Sequence, residues 1–244
     1  MPLASGLRRG QSAPAAAFVV IAALLAFSCS RKQDTAGGVE PAAAAPAPAA
    51  AADPNTPSRP KIVILGDSLT AGYGLLESQS FPSVLQQKLD SEGYQFEVEN
   101  AGVSGDTTAG GLRRLDWAMQ GNVRILVVAL GGNDGLRGLS VAEMQANLTE
   151  IITKGRERGV MVILAGMEAP PNYGTEYAAS FRRVYREIAR QQRVLLMPFL
   201  LDGVAGHADL NQADGIHPNE RGAQIVADHV WAVLRPVLDQ IPTS

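Results

Sequence analysis

The sequence predicts an α/β fold, a three-layer α/β/α sandwich around a mostly parallel five-stranded sheet, beginning near residue 61. Three observations predict it. Short apolar runs, most of them rich in β-branched residues, recur at Ile62–Leu65, Phe96–Glu99, Ile125–Leu130, Val160–Ala165 and Val194–Met197. Their apolar residues are continuous rather than alternating, as suits strands buried on both faces. Longer amphipathic stretches alternate with them, near Phe81–Glu92, Thr107–Met119, Val141–Arg158, Tyr177–Gln192 and Glu220–Leu238. Strand followed by helix, repeated, is the pattern of a parallel sheet with right-handed crossovers.

The elements can be justified in chain order. Residues 1–28 carry Arg8 and Arg9 and then the apolar stretch Ala13–Phe27. A basic segment before a short apolar core is an export signal, and this core is too short to span a bilayer comfortably. The only cysteine, Cys29, follows Leu25-Ala-Phe-Ser28. This resembles a bacterial lipobox, so cleavage is expected before Cys29 and lipidation on it. Lipidation would also dispose of an unpaired thiol in an exported chain. Ala26-Phe-Ser28 equally fits an ordinary small-x-small cleavage site, which would leave a soluble periplasmic or secreted protein. Ser30, rather than aspartate, after the cysteine hints at the outer membrane, with the protein facing the periplasm. Residues 29–60 are Ala/Pro-rich with few large apolar side chains, a tether that cannot bury enough surface to offset its ordering entropy.

The remaining residues, 61–240, are expected to form one domain, flavodoxin-like in outline. With 244 residues, 46% hydrophobic and 18% charged, the chain can build such a core. A formal net charge of −3 and 5% aromatic residues leave neither a basic footprint nor a stacking platform, so nucleic acid is not an expected partner. No His-Glu-x-x-His or Cys-x-x-Cys spacing occurs, and neither a metal nor a cofactor is expected. A monomer is expected.

Chemistry-bearing residues collect where strands end. Lys61–Leu65 stops abruptly at Gly66-Asp67-Ser68, leaving a serine at the strand's C-terminal edge, and ligands bind at that edge in open α/β sheets. Three further blocks follow other elements: Asn100–Thr107 with Gly105, Gly131–Gly135 with Asn133, and Asp214-Gly-Ile-His217-Pro218. Each has a plain reading in isolation. Ser68 could be a helix N-cap, Gly105 an ordinary turn glycine, and Asn133 a turn residue tolerating a left-handed backbone. Asp214 and His217 could be an Asx-turn and a helix-start histidine. Asp67, Asp134 and Asp209 read as loop or turn carboxylates, His207 as a solvated loop residue, and His229 as a structural or surface residue of the last helix. Together, however, a hydroxyl, an imidazole and a carboxylate are the parts of a serine hydrolase.

The four blocks, in this order and at these separations, resemble those of the SGNH (GDSL-type) hydrolases over almost all of Lys61–Leu238. Within that superfamily the chain resembles the thioesterase I, lysophospholipase L1 and arylesterase group, a match strengthened by Pro170-Pro-Asn-Tyr-Gly174. The resemblance implies Ser68 as nucleophile, His217 as base and Asp214 as its orienting carboxylate. It also implies an oxyanion hole from the backbone N–H groups of Ser68 and Gly105 and the side-chain amide of Asn133. The implied substrates are acyl or aryl esters, acyl thioesters and lysophospholipids. Leu75, Leu76, Pro170, Tyr173 and the Gly203–Leu210 loop are candidates for an acyl-chain wall.

Two alternatives stay open on sequence alone. One is an acetyl esterase acting on a polysaccharide, although no aromatic-rich sugar-stacking segment is present. The other is a non-catalytic, flavodoxin-like module binding a phosphate ligand at Gly66–Gly74. That segment lacks both the P-loop ending and the dinucleotide-binding glycine spacing.

Overall fold

A computed structural model describes residues 59–241. The export segment 1–28, Cys29 and the tether as far as residue 58 lie outside the described residues.

Strand β1 (Lys61–Gly66) leads through the single-turn helix α1 (Ser68–Ala71) to α2 (Phe81–Ser91) and β2 (Glu97–Gly102). Helix α3 (Thr108–Ala118), β3 (Val123–Ala129) and the short helix α4 (Gly132–Leu136) follow. Then come α5 (Val141–Glu157), β4 (Met161–Ala165), α6 (Thr175–Gln192), β5 (Leu195–Met197) and α7 (Glu220–Leu238). All pairings among the five strands are parallel, in the order β2-β1-β3-β4-β5. The expected sandwich is therefore present, with the strand order of the flavodoxin-like doubly wound fold.

Helix α2 packs on α7 on one face of the sheet, while α3 packs on α5 and α5 on α6 on the other. Ile62–Leu65 of β1 and Ile125–Val128 of β3 are 0% exposed, because both faces of these central strands are covered. Burying such side chains stabilises by about 1.5–3 kcal/mol each.

Three local expectations need correcting. Asn100, Ala101 and Gly102 belong to β2 rather than to the loop after it. β2 is an edge strand with a half-exposed burial pattern, so its apolar signal fades before it ends. The expected breaks at Ser68 and at Gly131–Gly135 instead open helices α1 and α4, of four and five residues. Elements of one turn carry no periodicity, and glycine-rich Gly132–Leu136 has poor intrinsic helix propensity.

Strand order reverses direction between β1 and β3. Connections from their C-terminal ends diverge to opposite faces there, which opens a crevice at that edge. Three of the four sequence blocks leave the sheet beside this crevice, at the ends of β1, β2 and β3. The fourth lies between β5 and α7, where a bridge between Asn211 and Pro218 closes its loop.

Candidate active site

Ser68 is the first residue of α1. Asp67, not Ser68, caps that helix: its Oδ1 accepts the Leu69 N–H at 3.0 Å. The Ser68 N–H finds no acceptor among the described residues, as expected for an N1 position. Across the crevice, His217 Nε2 lies 2.8 Å from Ser68 Oγ. The other ring nitrogen, Nδ1, lies 2.7 Å from Asp214 Oδ2.

Asp214 also accepts the N–H groups of Ile216 and His217 on Oδ1, at 2.9 and 3.0 Å. Those two backbone donors, His217's first, and then the ring donor hold its pKa down at about 2. An ionised Asp214 requires the proton of a neutral imidazole on Nδ1, which leaves Nε2 to accept from the Ser68 hydroxyl. The plain reading of an Asx-turn is thus also true, since one carboxylate both builds the turn and orients the ring.

Gly105 has φ +83, a left-handed conformation that strains other residues, and its N–H finds no acceptor among the described residues. Asn133 is the second residue of α4. Its Nδ2 donates to the Asp106 carbonyl at 2.9 Å and, over a longer 3.3 Å, to Asp67 Oδ2. The amide is thereby fixed between the turn that carries Gly105 and the residue before Ser68.

Several supporting side chains escaped the sequence. Arg114 on α3 donates to Asp106 Oδ2 at 2.6 Å, to the Ala101 carbonyl at 2.7 Å and to the Gly66 carbonyl at 2.7 Å. It ties together the ends of β1 and β2 and the Gly105 turn. Its signal lay in the glycine at 110, one helical turn earlier on the same face, which leaves room for Asp106 to approach.

Asp134 is 3% exposed and accepts the Thr108 N–H and hydroxyl at 2.9 and 2.7 Å, joining α4 to the start of α3. Reading it as a loop carboxylate is corrected, because the side chain lies within α4, buried and hydrogen-bonded. Asp67 is 2% exposed, and its burial pushes the carboxyl up to about 6. Of the other histidines, His207 lies on the exposed loop and His229 within α7.

A cleft of about 640 Å³ runs past Ser68, Asn133 and His217, walled by Leu136, Met167, Ala169, Pro170, Phe199 and Ile216. Of the residues offered as a wall, Pro170 and, from the Gly203–Leu210 loop, Ala205 and Gly206 line this cleft. Leu75 instead lines a small cavity behind Ser68, and Leu76 and Tyr173 stand exposed outside the cleft. Among the described residues no group of His, Cys, Asp or Glu is disposed to hold a metal ion, and no helix is long and apolar enough to cross a membrane.

Residues 64–225 match the GDSL-like Lipase/Acylhydrolase family. The chain is 44% identical over 178 residues to the esterase TesA of Pseudomonas aeruginosa, a match covering 72% of this chain and 89% of that protein. It is 36% identical over 179 residues to the thioesterase 1/protease 1/lysophospholipase L1 of Escherichia coli, covering 73% and 85%. A crystal structure of TesA superimposes with a TM-score of 0.70 at 43% identity, covering 72% of this chain and 99% of that one.

Proposed function

The chain belongs to the GDSL-like lipase/acylhydrolase family and is a carboxylic ester hydrolase, and from that premise we propose that Ser68, His217 and Asp214 carry the reaction. The supporting observation is the relay of contacts from Ser68 Oγ to His217 Nε2, 2.8 Å, and from Nδ1 to Asp214 Oδ2, 2.7 Å.

Ser68 Oγ attacks the ester carbonyl carbon while Nε2 takes its proton. The carbonyl oxygen becomes an oxyanion, met by the N–H groups of Ser68 and Gly105 and by the Asn133 amide. The longer Asn133–Asp67 contact is the one that yields as that charge develops. The imidazolium, steadied by ionised Asp214, protonates the departing alcohol or thiol and leaves an acyl-Ser68 ester. Water, deprotonated by His217, attacks this ester through the same oxyanion, and the acid leaves as the proton returns to Ser68.

The apolar cleft favours acyl or aryl esters, acyl thioesters and lysophospholipids over an acetylated glycan. Activity on p-nitrophenyl esters of increasing chain length, set against acetate release from acetylated polysaccharide, separates the two. A fluorophosphonate should label the parent protein and not Ser68→Ala, which should also lose hydrolysis while keeping its fold. Undiminished turnover by Ser68→Ala would end the proposal.

The domain limits 61–240 are part of the proposal, as is a lipid anchor on Cys29 holding an exported protein at the outer membrane. Mass spectrometry of the mature N-terminus should find acyl chains on Cys29. A free thiol there would mean a soluble exported protein.

A further inference from the structure

Ser68 and His217 stand on segments that share no element of secondary structure. Ser68 opens α1 after β1, and His217 lies 149 residues later on the loop before α7. Their separation therefore depends on whatever fixes those two segments to each other.

One side chain spans them. Gln212 Nε2 donates to the Tyr73 carbonyl, just past α1, at 2.6 Å and to the Pro218 carbonyl, beside His217, at 3.0 Å. Both amide hydrogens are used, one on each segment. The Gln212 backbone is itself held in the histidine loop. Its N–H donates to the His217 carbonyl at 2.8 Å, and its own carbonyl accepts the Gly215 N–H at 2.9 Å.

On the serine side, the Tyr73 N–H donates to the Ser68 carbonyl at 3.0 Å. The fit leaves no slack: a Cβ at Gly74, where φ is +76, would come within 2.2 Å of Gln212 Oε1. Tyr73, whose carbonyl Gln212 holds, lays its ring against the His217 imidazole with centroids 4.7 Å apart.

We propose that Gln212 is a positioning residue for ester hydrolysis. It cross-links the serine-bearing turn to the histidine-bearing loop and seats the Tyr73 ring against the imidazole. The proposal rests on the roles assigned above to Ser68 and His217. It demands a donor at this position, because two carbonyl oxygens converge on one nitrogen. A carboxylate there would repel both, whereas a protonated carboxyl could satisfy one of them.

The test uses purified Gln212→Ala, Gln212→Glu and Gly74→Ala beside the parent and Ser68→Ala. For each, kcat and KM on a short p-nitrophenyl ester, the fluorophosphonate labelling rate and Tm are measured between about pH 4 and 8.5, a range that spans the ordinary glutamate pKa of about 4.3. A displacement of about 1 Å can cost roughly 10²-fold. Gln212→Ala should therefore lose about 10- to 100-fold in kcat, with KM within about twofold and labelling slowed in parallel. Gly74→Ala should lose kcat in the same sense. Gln212→Glu should be at least as impaired as Gln212→Ala at pH 8.5, and its activity relative to the parent should recover as the pH falls. Parental kcat in a folded Gln212→Ala, a change confined to KM or Tm, or a Glu variant whose relative activity ignores pH would each overturn the proposal. Ser68→Ala that remained active would instead overturn the underlying assignment, and that outcome is read independently of the Gln212 variants.

Discussion

Asp214 holds His217 twice. One carboxylate oxygen accepts the backbone N–H of His217 at 3.0 Å, and the other lies 2.7 Å from its ring Nδ1. Main chain and side chain of the histidine are thus referred to the same two-oxygen anchor. Loop position and ring orientation cannot drift independently, although Asp214 lies on an exposed loop.

Asp214→Asn should separate the two duties. An asparagine oxygen still accepts the two backbone N–H groups, so the turn and Tm should survive. Its amide would donate towards Nδ1 and force the proton onto Nε2, removing the acceptor for Ser68. We expect kcat to fall on the order of 10³–10⁴-fold, measured as steady-state ester hydrolysis at neutral pH. In the parent, the stability contributed by the lowered Asp214 pKa is present above the ordinary carboxylate value. It is lost only as the pH falls towards about 2.

Asn133→Ala should remove one donor to the oxyanion. Loss of such a donor costs about 3–4 kcal/mol in the transition state, or roughly 10²–10³-fold in kcat. Single-turnover acylation should carry the loss, with KM little changed. A loss in KM alone would place the amide in ground-state binding.

Asp67→Asn should change both stability and its pH dependence. An acid whose folded pKa is raised from 3.8 to about 6 is penalised once ionised. The parent's stability from this group is therefore full below pH 3.8 and lost as the pH rises through about 6. Relative to the parent, the variant should gain stability across that window, up to about 3 kcal/mol by the measure of 1.36 kcal/mol per pKa unit. Chemical denaturation at pH 4 and pH 7.5 checks the sign.

Arg193→Gly should stabilise the fold. Arg193 ends α6 with φ 53, and no other non-glycine residue has positive φ among the described residues. A left-handed L-residue costs about 1–2 kcal/mol, partly offset by the greater chain entropy of glycine. The net gain should be about 0.5–1 kcal/mol with activity unchanged, and thermal unfolding measures it.

The sheet and its long helices were legible because each reflects a local apolar pattern of sufficient length. The four site blocks were legible because Ser68, Gly105, Asn133 and the Asp214–His217 pair stand in distinctive local wording. What holds them was not legible. Asp67 reaches Asn133 across 66 positions, and Thr108 reaches Asp134 across 26. Arg114 reads as one of two adjacent arginines on an amphipathic helix until Gly66 and Ala101 are seen to converge on it. Such pairings arise from tertiary closure, and no periodicity encodes them. Even the edge strand β2 was cut short, because half its side chains face outward.

Since every strand runs the same way, the side chains proposed to react gather at one pole, and among the described residues the opposite pole carries the connections that lead into the strands. The short reversals near residues 92–95, 120–122 and 158–160 lie there, just before β2, β3 and β4. They are natural places to graft a tag, open a permuted chain or attach the protein to a bead. A handle at any of them would leave the mouth of the cleft turned towards the bulk solution.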